Sequence, residues 1–305
     1  MLKRAEVLKE EVRSIISRSI TLSLHQRLHL IETIERLCLD YLFEEEISIA
    51  LAEAGTADVS DCDLQTVALW FYLLRKHGYR VSSDVFLRFK DQEGRLLAHT
   101  PIDLLNLYNA ASRRTDGDII LKEAALFARK CLETSLPYME QSLAREIKCA
   151  LEIPLPRRVS IYESKDQVLR YENEDIVDEA VIQLAKLNSN IMQLHYQREL
   201  QTITRWWKDL SQLPFARDRI MECFLWILGV YFEPCYSRGR IISTMMLAII
   251  ALLDDIYDSY GTAEDCELFT KCMERYALAF LGKYSYYKFI CVCLYFHLQK
   301  IKEYH

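Results

Sequence analysis

The chain has 305 residues, of which 51% are hydrophobic, and carries a formal net charge of −6 at pH 7. This is enough apolar material for a sizeable core, in one large or two ordinary domains. The acidic balance argues against a nucleic-acid-binding protein, because neutralising phosphates requires a basic surface. With 8 glycines and 6 prolines the chain has too few turn-forming residues for a many-stranded sheet, so we predict an all-α fold.

The cysteines and the apolar runs bear on the cellular compartment. Ten cysteines are scattered without zinc-site spacing, and Cys291 and Cys293 are the closest pair, one residue apart. We interpret them as reduced thiols of a reducing compartment. The first residues form an acid-containing amphipathic stretch, unlike a signal or transit peptide, and residues 241–253 are too few to span a bilayer. We therefore expect a cytosolic protein without a membrane span.

In the first half of the chain, apolar residues recur at steps of three and four and predict successive helices. Residues 27–43 carry one such stripe, and another helix runs from Leu64 to a stop at Gly78. Thr100 precedes a proline and, three residues on, an aspartate, a pattern typical of a capped helix start. Asp118 is predicted to begin the next helix.

The stretch LEIPLPRR interrupts this helical pattern. Pro154 and Pro156 forbid a continuous helix, and the flanking residues are polar. We therefore predict a domain boundary there, with one domain at residues 1–155 and a second at residues 156–305.

The second half is predicted to continue with long helices. One stretch runs to the paired tryptophans, another helix follows Pro214, and a third begins near Ser237. This third helix is predicted to end at Gly261, where Thr262 and Asp265 resemble the capping box of a further helix.

Three carboxylates follow the apolar run of that third helix, in LLDDIYDSYGT. Asp254 and Asp258 are four residues apart, which places them on one face of an α-helix with Asp255 beside them. Like charges at the end of an apolar helix are unfavourable unless a cation compensates, and carboxylate oxygens are the ligands that Mg²⁺ prefers. The alternative interpretation is a solvated acidic helix end.

Two further features precede the carboxylates. Arg217 and Arg219 are predicted in the first turn of the helix after Pro214, where positive charge opposes the helix dipole unless an anion is near. A surface salt-bridge cluster is the other interpretation. A set of aromatic residues could form either core or a cavity that stabilises a cation: Trp206, Trp207, Phe224, Trp226, Tyr231 and Phe232.

The order of four motifs, RWWKDL, LPFARDR, LGVYFEPCYSRGR and LLDDIYDSYGT, resembles plant terpene synthases, and the sesquiterpene-forming branch most. The segment LLRKHGYRVSSDVFLRFKD resembles the amino-terminal helical domain of the same family. The resemblance implies an α/α-barrel-like amino-terminal domain followed by a partial class I terpenoid synthase helical domain.

The resemblance also implies roles for the charged residues. Asp254 and Asp258 would ligate Mg²⁺, with Mn²⁺ as a substitute, and Asp255 would support the cluster by hydrogen bonding. Arg217 and Arg219 would hold the departing diphosphate. The chemistry is Lewis-acid assistance and preorganised positive charge, without a covalent enzyme intermediate.

By the same resemblance, Trp226 falls where the family has an aromatic wall of the hydrocarbon pocket. The implied reaction is ionisation of an allylic prenyl diphosphate, above all farnesyl diphosphate, and cyclisation or quenching to a sesquiterpene. The resemblance thus implies the prenyl diphosphate as the binding partner and no binding of nucleic acid. It also implies that the intact protein is a monomer.

The chain departs from the family pattern in three places. A second magnesium motif of the form (N/D)DxxSxxxE is not found, and beyond Arg275 the sequence ceases to resemble the family. The arginine pair with a tryptophan downstream is also missing, since Arg113 and Arg157 begin internal pairs without that tryptophan. We therefore expect a truncated fold with uncovered apolar faces, prone to aggregation or dependent on an unknown partner, and with poor or absent turnover.

Other readings remain open. A prenyl-chain-elongating synthase also uses DDxxD, but it requires a second aspartate-rich motif and lacks such an amino-terminal domain; the absence of that motif from this sequence argues against it. Protonation-initiated class II chemistry requires DxDD, and Asp61 and Asp63 supply two of its three acids. A catalytically inactive helical protein that binds a partner, or nothing, would have the same fold with no dependence on Asp254.

Overall fold

The computed structural model of the chain describes residues 1–94, 96–172, 178–210 and 217–280. In this part of the chain every regular element is a helix, apart from an isolated bridge between Lys90 and Leu96. The predicted all-α class is therefore confirmed. Cysteines 291 and 293 lie outside the described residues, and the eight described cysteines are free thiols.

The chain divides into two compact units, Met1–Ser189 and Asn190–His305. The first unit contains eight α-helices in its described residues and the start of a ninth. They are α1 Leu2–Arg18, α2 Leu24–Arg36, α3 Glu44–Gly55, α4 Leu64–Lys76, α5 Pro101–Ala111, α6 Ile119–Ser135, α7 Gln141–Glu152, α8 Ser160–Tyr171 and α9 Glu179–Leu210. Short 3₁₀ helices occupy Ser19–Thr21, Asp40–Leu42, Ser83–Phe89, Leu136–Tyr138 and Leu155–Arg157.

The helix starts and stops of this unit follow local signals. Thr100 and Asp103 form the predicted capping box of α5, with each side chain accepting from the other's backbone N–H. Helix α4 ends at Lys76, and Gly78 follows at φ +83°, a backbone conformation that glycine adopts without steric cost. Both expectations are confirmed.

The predicted helix over residues 27–43 is wrong in its second half. Helix α2 ends at Arg36, because Cys38 takes the left-handed conformation at φ +56°. The Leu39 N–H then donates to the Ile34 carbonyl at 3.0 Å, which closes the helix end. The chain continues through the 3₁₀ helix Asp40–Leu42, so the apolar stripe is shared between two elements.

The core of the first unit is built around α4. Ten of its residues, from Leu64 to Leu74, are buried, and it packs against α2 and α5. The Phe71 ring contacts Phe86 edge-on at 5.2 Å between centroids, and the Trp70 indole donates to the Ala54 carbonyl at 2.8 Å. Burial of so many large apolar side chains is the main stabilising contribution here.

A buried carboxylate joins α2 to the end of α4. Glu35 contacts the Lys76 ammonium at 2.7 Å and the His77 ring at 2.5 Å. Burial raises the pKa of Glu35, but the His77 hydrogen bond and the Lys76 charge outweigh it and hold that pKa below its usual range. The two basic residues at the end of α4 therefore serve a tertiary contact.

The predicted break at the two prolines is present, since a 3₁₀ turn at Leu155–Arg157 separates α7 from α8. Along the chain, the boundary between the two compact units falls after Ser189, within α9. The domain boundary after residue 155 stays a prediction.

The second unit contains the rest of α9 and three further α-helices in its described residues. These are α10 Ile220–Val230, α11 Ser237–Asp255 and α12 Ala263–Phe280, with a 3₁₀ turn at Pro234–Tyr236 and a π-helical turn at Ile256–Tyr260. None of the described helices combines the length and the apolar character needed to cross a membrane.

A buried ion pair organises the second unit. Arg240 at the start of α11 is fully buried and contacts Glu199 of α9 through two hydrogen bonds of 2.9 and 2.7 Å. Its remaining donors reach the Tyr231 and Glu233 carbonyls at 2.9 and 2.6 Å. The guanidinium also lies 5.2 Å from the centre of the Tyr196 ring. One side chain thus fixes α9, α11 and the loop between α10 and α11.

Candidate active site

The carboxylates lie where α11 changes its helical form. The apolar face of α11 is buried at Ala248, Ile249 and Leu252, and the α-helix ends at Asp255. The chain then makes a π-helical turn, in which the Gly261 N–H donates to the Ile256 carbonyl five residues earlier at 2.6 Å. The predicted end at Gly261 is confirmed, but the π turn was not predicted. Single π turns inside helices are rare and are frequent at functional sites.

Position 261 requires glycine because its surroundings leave no room for a Cβ atom. A Cβ atom at position 261 would lie 2.8 Å from the Ile256 carbonyl oxygen and 2.8 Å from the Cys266 Sγ. Its φ of −80° is ordinary, so close approach is the reason for glycine here. Thr262 and Asp265 then form the predicted capping box of α12, with mutual hydrogen bonds of 3.3 and 3.2 Å.

The three aspartates divide into one engaged and two available carboxylates. Asp255 is mostly buried and accepts from the Arg219 guanidinium at 3.2 Å and from the Arg217 backbone N–H at 3.4 Å. Asp254 and Asp258 are exposed and make no hydrogen bond or ion pair with the described residues. Two carboxylates therefore keep their oxygens available for a ligand outside the protein.

The predicted position of the arginines within a helix is wrong. Helix α10 begins at Ile220, so Arg217 and Arg219 precede it, and Arg219 is its N-terminal flanking residue. The Asp255 carboxylate draws the segment toward the end of α11 and compensates the positive charge beside the helix start. The Arg217 side chain extends into solvent, 3.9 Å from Glu222.

Arg219 retains an unused donor. Its Nη2 contacts Asp255, while its Nε is buried without a hydrogen-bond partner in the described part of the chain. A buried guanidinium N–H without an acceptor is unfavourable. An anionic ligand at this position would satisfy it.

The residues present suit a divalent cation in their chemistry. Oxygen ligands hold Mg²⁺ through one or two carboxylates together with substrate phosphates, and Asp254 and Asp258 offer two carboxylates without protein partners. In the described residues no three His, Cys, Asp or Glu side chains form a cluster able to hold a metal by themselves. The assignment of Asp254 and Asp258 as metal ligands therefore stays a prediction.

The aromatic residues separate into core and surface. Trp207 and Phe224 are buried in the core of the second unit, where Phe224 contacts Tyr196 at 6.4 Å between ring centres. Trp226 and Tyr231 are 54% and 42% exposed. The assignment of Trp226 to a hydrocarbon pocket stays a prediction.

Sequence reasoning missed the buried pair of Arg240 and Glu199. The motif LGVYFEPCYSRGR contributes to the family resemblance, but the sequence alone indicates no role for its last arginine. The available signal was an arginine directly before a long apolar run, a position where a charged side chain is buried only with a partner. Its partner lies 41 residues away in the chain and could not be identified from spacing.

Comparison with known protein families gave two matches. Residues 1–151 match the model of the terpene synthase N-terminal domain, and residues 207–305 match that of the terpene synthase family metal binding domain. The second match extends to His305, which corrects the expectation that the resemblance ends at Arg275.

Among curated proteins, the chain is 57% identical over 288 residues to an α-terpineol synthase, chloroplastic, from Zea mays, covering 92% of this chain and 46% of that protein. It is 46% identical over 278 residues to a zingiberene synthase from Sorghum bicolor, covering 90% of this chain and 51% of that protein. The chain thus spans about half the length of the curated relatives it matches.

Solved structures resemble the chain over nearly all of its length. Isoprene synthase from grey poplar leaves (Populus x canescens), in complex with three Mg²⁺ ions and dimethylallyl-S-thiolodiphosphate, aligns with a TM-score of 0.85 and 36% identity, over 99% of this chain and 59% of that one. A limonene synthase with 2-fluorolinalyl diphosphate aligns with a TM-score of 0.87 and 29% identity, over 99% of this chain and 58% of that one.

Proposed function

Because the chain belongs to the terpene synthase family, we propose that it takes part in the Mg²⁺-dependent ionisation of an allylic prenyl diphosphate. The substrate we propose is farnesyl diphosphate, and the product a sesquiterpene formed by cyclisation or quenching of the cation. The observation that carries the proposal is that the three aspartates of the cluster differ in their hydrogen-bond and ion-pair partners. Asp255 holds the arginine segment, while Asp254 and Asp258 have no partner in the described residues.

The charged residues have complementary tasks in this proposal. Asp254 and Asp258 would hold the divalent cation, which when bound supplies Lewis-acid charge neutralisation for the diphosphate; Mn²⁺ is the proposed substitute. Arg219 would donate its free Nε to the diphosphate, and Arg217 would add its exposed guanidinium. Asp255 keeps Arg219 in place, so its role is positioning.

The length of the prenyl chain is a separate part of the proposal. Zingiberene, named in the Sorghum relative, is a fifteen-carbon terpene, whereas α-terpineol, named in the maize relative, has ten carbons. We propose the fifteen-carbon substrate, with Trp226 at the hydrocarbon. Both farnesyl and geranyl diphosphate therefore belong in the assay.

The test is an assay of diphosphate release and volatile products with the purified chain. Wild type and Asp254→Ala are compared with each diphosphate, with and without Mg²⁺. Removing a metal ligand is expected to lower the rate by about 10²-fold or more, because a bound metal supplies several kcal/mol of charge stabilisation in the transition state and each factor of ten corresponds to about 1.4 kcal/mol of the barrier. Glu264→Gln, an exposed carboxylate at the start of α12, is the matched control and should retain the wild-type rate.

The outcomes separate the proposal from its alternative. Mg²⁺-dependent release that needs Asp254 supports it, and a greater rate with geranyl diphosphate corrects the chain length only. A folded chain that releases no diphosphate from either substrate contradicts it and favours a catalytically inactive helical protein.

The location and assembly state are likewise proposals. We propose a monomer in the cytosol, whereas the maize relative is named as chloroplastic. Size-exclusion chromatography with light scattering tests the first, and a carboxy-terminal fluorescent fusion in plant cells tests the second. A dimer, or fluorescence in chloroplasts, would contradict the respective statement.

A further inference from the structure

A groove of the first unit is lined by basic side chains. The groove is open to solvent and has a volume of about 670 Å³, and four of its lining residues are arginines: Arg75, Arg80, Arg113 and Arg114. Ser82, Ser112 and Thr115 add hydroxyl groups, and no aspartate or glutamate lines the groove in the described part of the chain. This concentration of positive charge occurs in a protein whose formal net charge is −6.

Arg75 connects the two loops that line the groove through its hydrogen bonds. Its guanidinium donates to the Asp118 carboxylate at 2.5 Å, to the Val81 carbonyl at 2.7 Å and to the Arg113 carbonyl at 3.2 Å. The hydrogen bond from Arg75 holds the pKa of Asp118 well below its usual range, so Asp118 stays ionised and neutralises Arg75. Arg75 thereby joins the loop after α4 to the loop after α5, and these two loops form the walls.

The other three arginines are not neutralised in this way. None of Arg80, Arg113 and Arg114 has a carboxylate within 4.0 Å among the described residues, and the one hydrogen bond from their side chains runs from Arg114 to the Ala111 carbonyl at 3.2 Å. The Arg113 guanidinium lies over the Tyr72 ring, 5.1 Å from its centre, a distance at which the ring face attracts the cation. Its Nε is buried and lacks an acceptor in the described residues.

This arrangement of charges is unfavourable without a compensating anion. Guanidinium groups that line the same space repel one another, and a buried N–H without an acceptor loses its hydration. An anion with several oxygen atoms relieves both effects, because the planar donor fork of arginine matches phosphate oxygens. The volume is within the range of about 300–1,000 Å³ that small-molecule sites occupy.

We propose that this groove binds a phosphate-bearing small molecule from solution. The bound group would lie against Arg113, with Arg80 and Arg114 at its exposed side and the Ser82 hydroxyl as a further donor, because the Ser112 and Thr115 hydroxyls already donate to the Asn109 carbonyl and to Asp118. Every lining residue belongs to the first unit, and none is part of the aspartate cluster. The site is therefore independent of the function proposed above.

Calorimetric titration of the full chain with inorganic phosphate and with pyrophosphate tests the proposal. A metal chelator is present throughout, and the ionic strength is about 0.15 M, so that exposed charges more than about 8 Å apart are screened. Arg113→Gln and Arg80→Gln are each expected to weaken pyrophosphate binding about tenfold or more, the usual effect of losing a charge-assisted hydrogen bond. The chelator removes the divalent cation through which Asp254 and Asp258 would hold a diphosphate, so a loss of binding in both arginine variants assigns the binding to this groove.

Arg145→Gln is the matched control, because Arg145 is an exposed arginine of the same unit whose partner is Asp166. It should bind both anions as wild type does. Arg80 is exposed, and its side chain makes no hydrogen bond or ion pair with the described residues, so Arg80→Gln remains a test if Arg113→Gln fails to fold.

Three results would overturn the proposal: no heat with either anion at millimolar concentration, an equal loss in Arg145→Gln, or binding only to vesicles that contain phosphatidylserine. The last result would assign the groove to a lipid headgroup.

Discussion

The two units of the chain differ in the interactions that stabilise each of them internally. In the first, α4 is buried along almost its whole length and α2, α5 and α6 carry apolar faces into one continuous core. In the second, the described core is smaller, and a fully buried arginine with its carboxylate partner lies within it. Apolar side chains on α10 and α11, such as Leu225, Val230 and Ile250, are exposed.

This difference shows how the same kind of helix is stabilised in two ways. Apolar burial is non-directional, so the first unit distributes its stability over many contacts of similar size. A buried ion pair is directional and depends on both partners, since either charge alone would be left desolvated. We therefore expect the second unit to depend on a few residues and the first to depend on the sum of many.

The largest effect is expected from breaking the ion pair. Glu199→Gln leaves the fully buried Arg240 without its countercharge and should lower the free energy of unfolding of the second unit by about 3–5 kcal/mol. Urea unfolding followed by tryptophan fluorescence measures this, because Trp206, Trp207 and Trp226 all lie in the second unit.

The control for this variant is Glu267→Gln, which removes the exposed i,i+4 partner of Lys271. It should cost less than about 0.5 kcal/mol. Equal losses in the two variants would show that the buried pair does not dominate the second unit.

A core truncation in the first unit is expected to cost about as much or somewhat less. Leu73 is fully buried in α4, and Leu73→Ala should destabilise by about 2–5 kcal/mol through lost burial and the cavity left behind. Hydrogen exchange of the α4 amides measures it. Leu126→Ala on α6, whose side chain is largely exposed, should change the stability by less than about 0.5 kcal/mol. Faster exchange of α4 in both variants would contradict the assignment of the core.

A smaller, pH-dependent effect is expected at the Asp118–Arg75 pair. The pKa of Asp118 is lowered on folding, so its stabilising contribution is complete above the unfolded value of about 3.9 and is lost as the pH falls through the lower folded value. Asp118→Asn should therefore cost about 1–3 kcal/mol at pH 7 and progressively less as acid is added.

Unfolding midpoints of wild type and Asp118→Asn between pH 7 and pH 2 measure this effect. Asp166→Asn, which removes the exposed partner of Arg145, should leave the midpoint nearly unchanged over the same range. A deficit in Asp118→Asn that stays constant down to the lowest pH would contradict the assigned pair.

The sequence predicted those features that depend on neighbouring residues. The capping boxes at Thr100 and Thr262 were found because their hydrogen bonds join residues three apart. The helical end at Gly261, which follows the π-helical turn after α11, and the all-α class were also found, since turn residues and apolar spacing are visible along the chain.

The features that were missed depend on backbone conformations or on partners distant in sequence. The left-handed Cys38 divided a predicted helix, although its stripe of apolar residues is continuous. The arginine segment was predicted within α10, because its contact with Asp255, 36 residues later, cannot be read from helical spacing. The family resemblance implies hydrogen bonding by Asp255, but its partners, the Arg219 guanidinium and the Arg217 N–H, could not be identified from spacing.

The contact between position 261 and its neighbours has a consequence for sequence variation. Because the Ile256 carbonyl is backbone, it cannot retreat from a new Cβ as a flexible side chain could. Shortening Cys266 to alanine would relieve only one of the two clashes, so no single compensating substitution would make alanine acceptable at position 261. Saturation mutagenesis under selection for an intact fold should therefore return one residue at this position, although its backbone angles suit any of them.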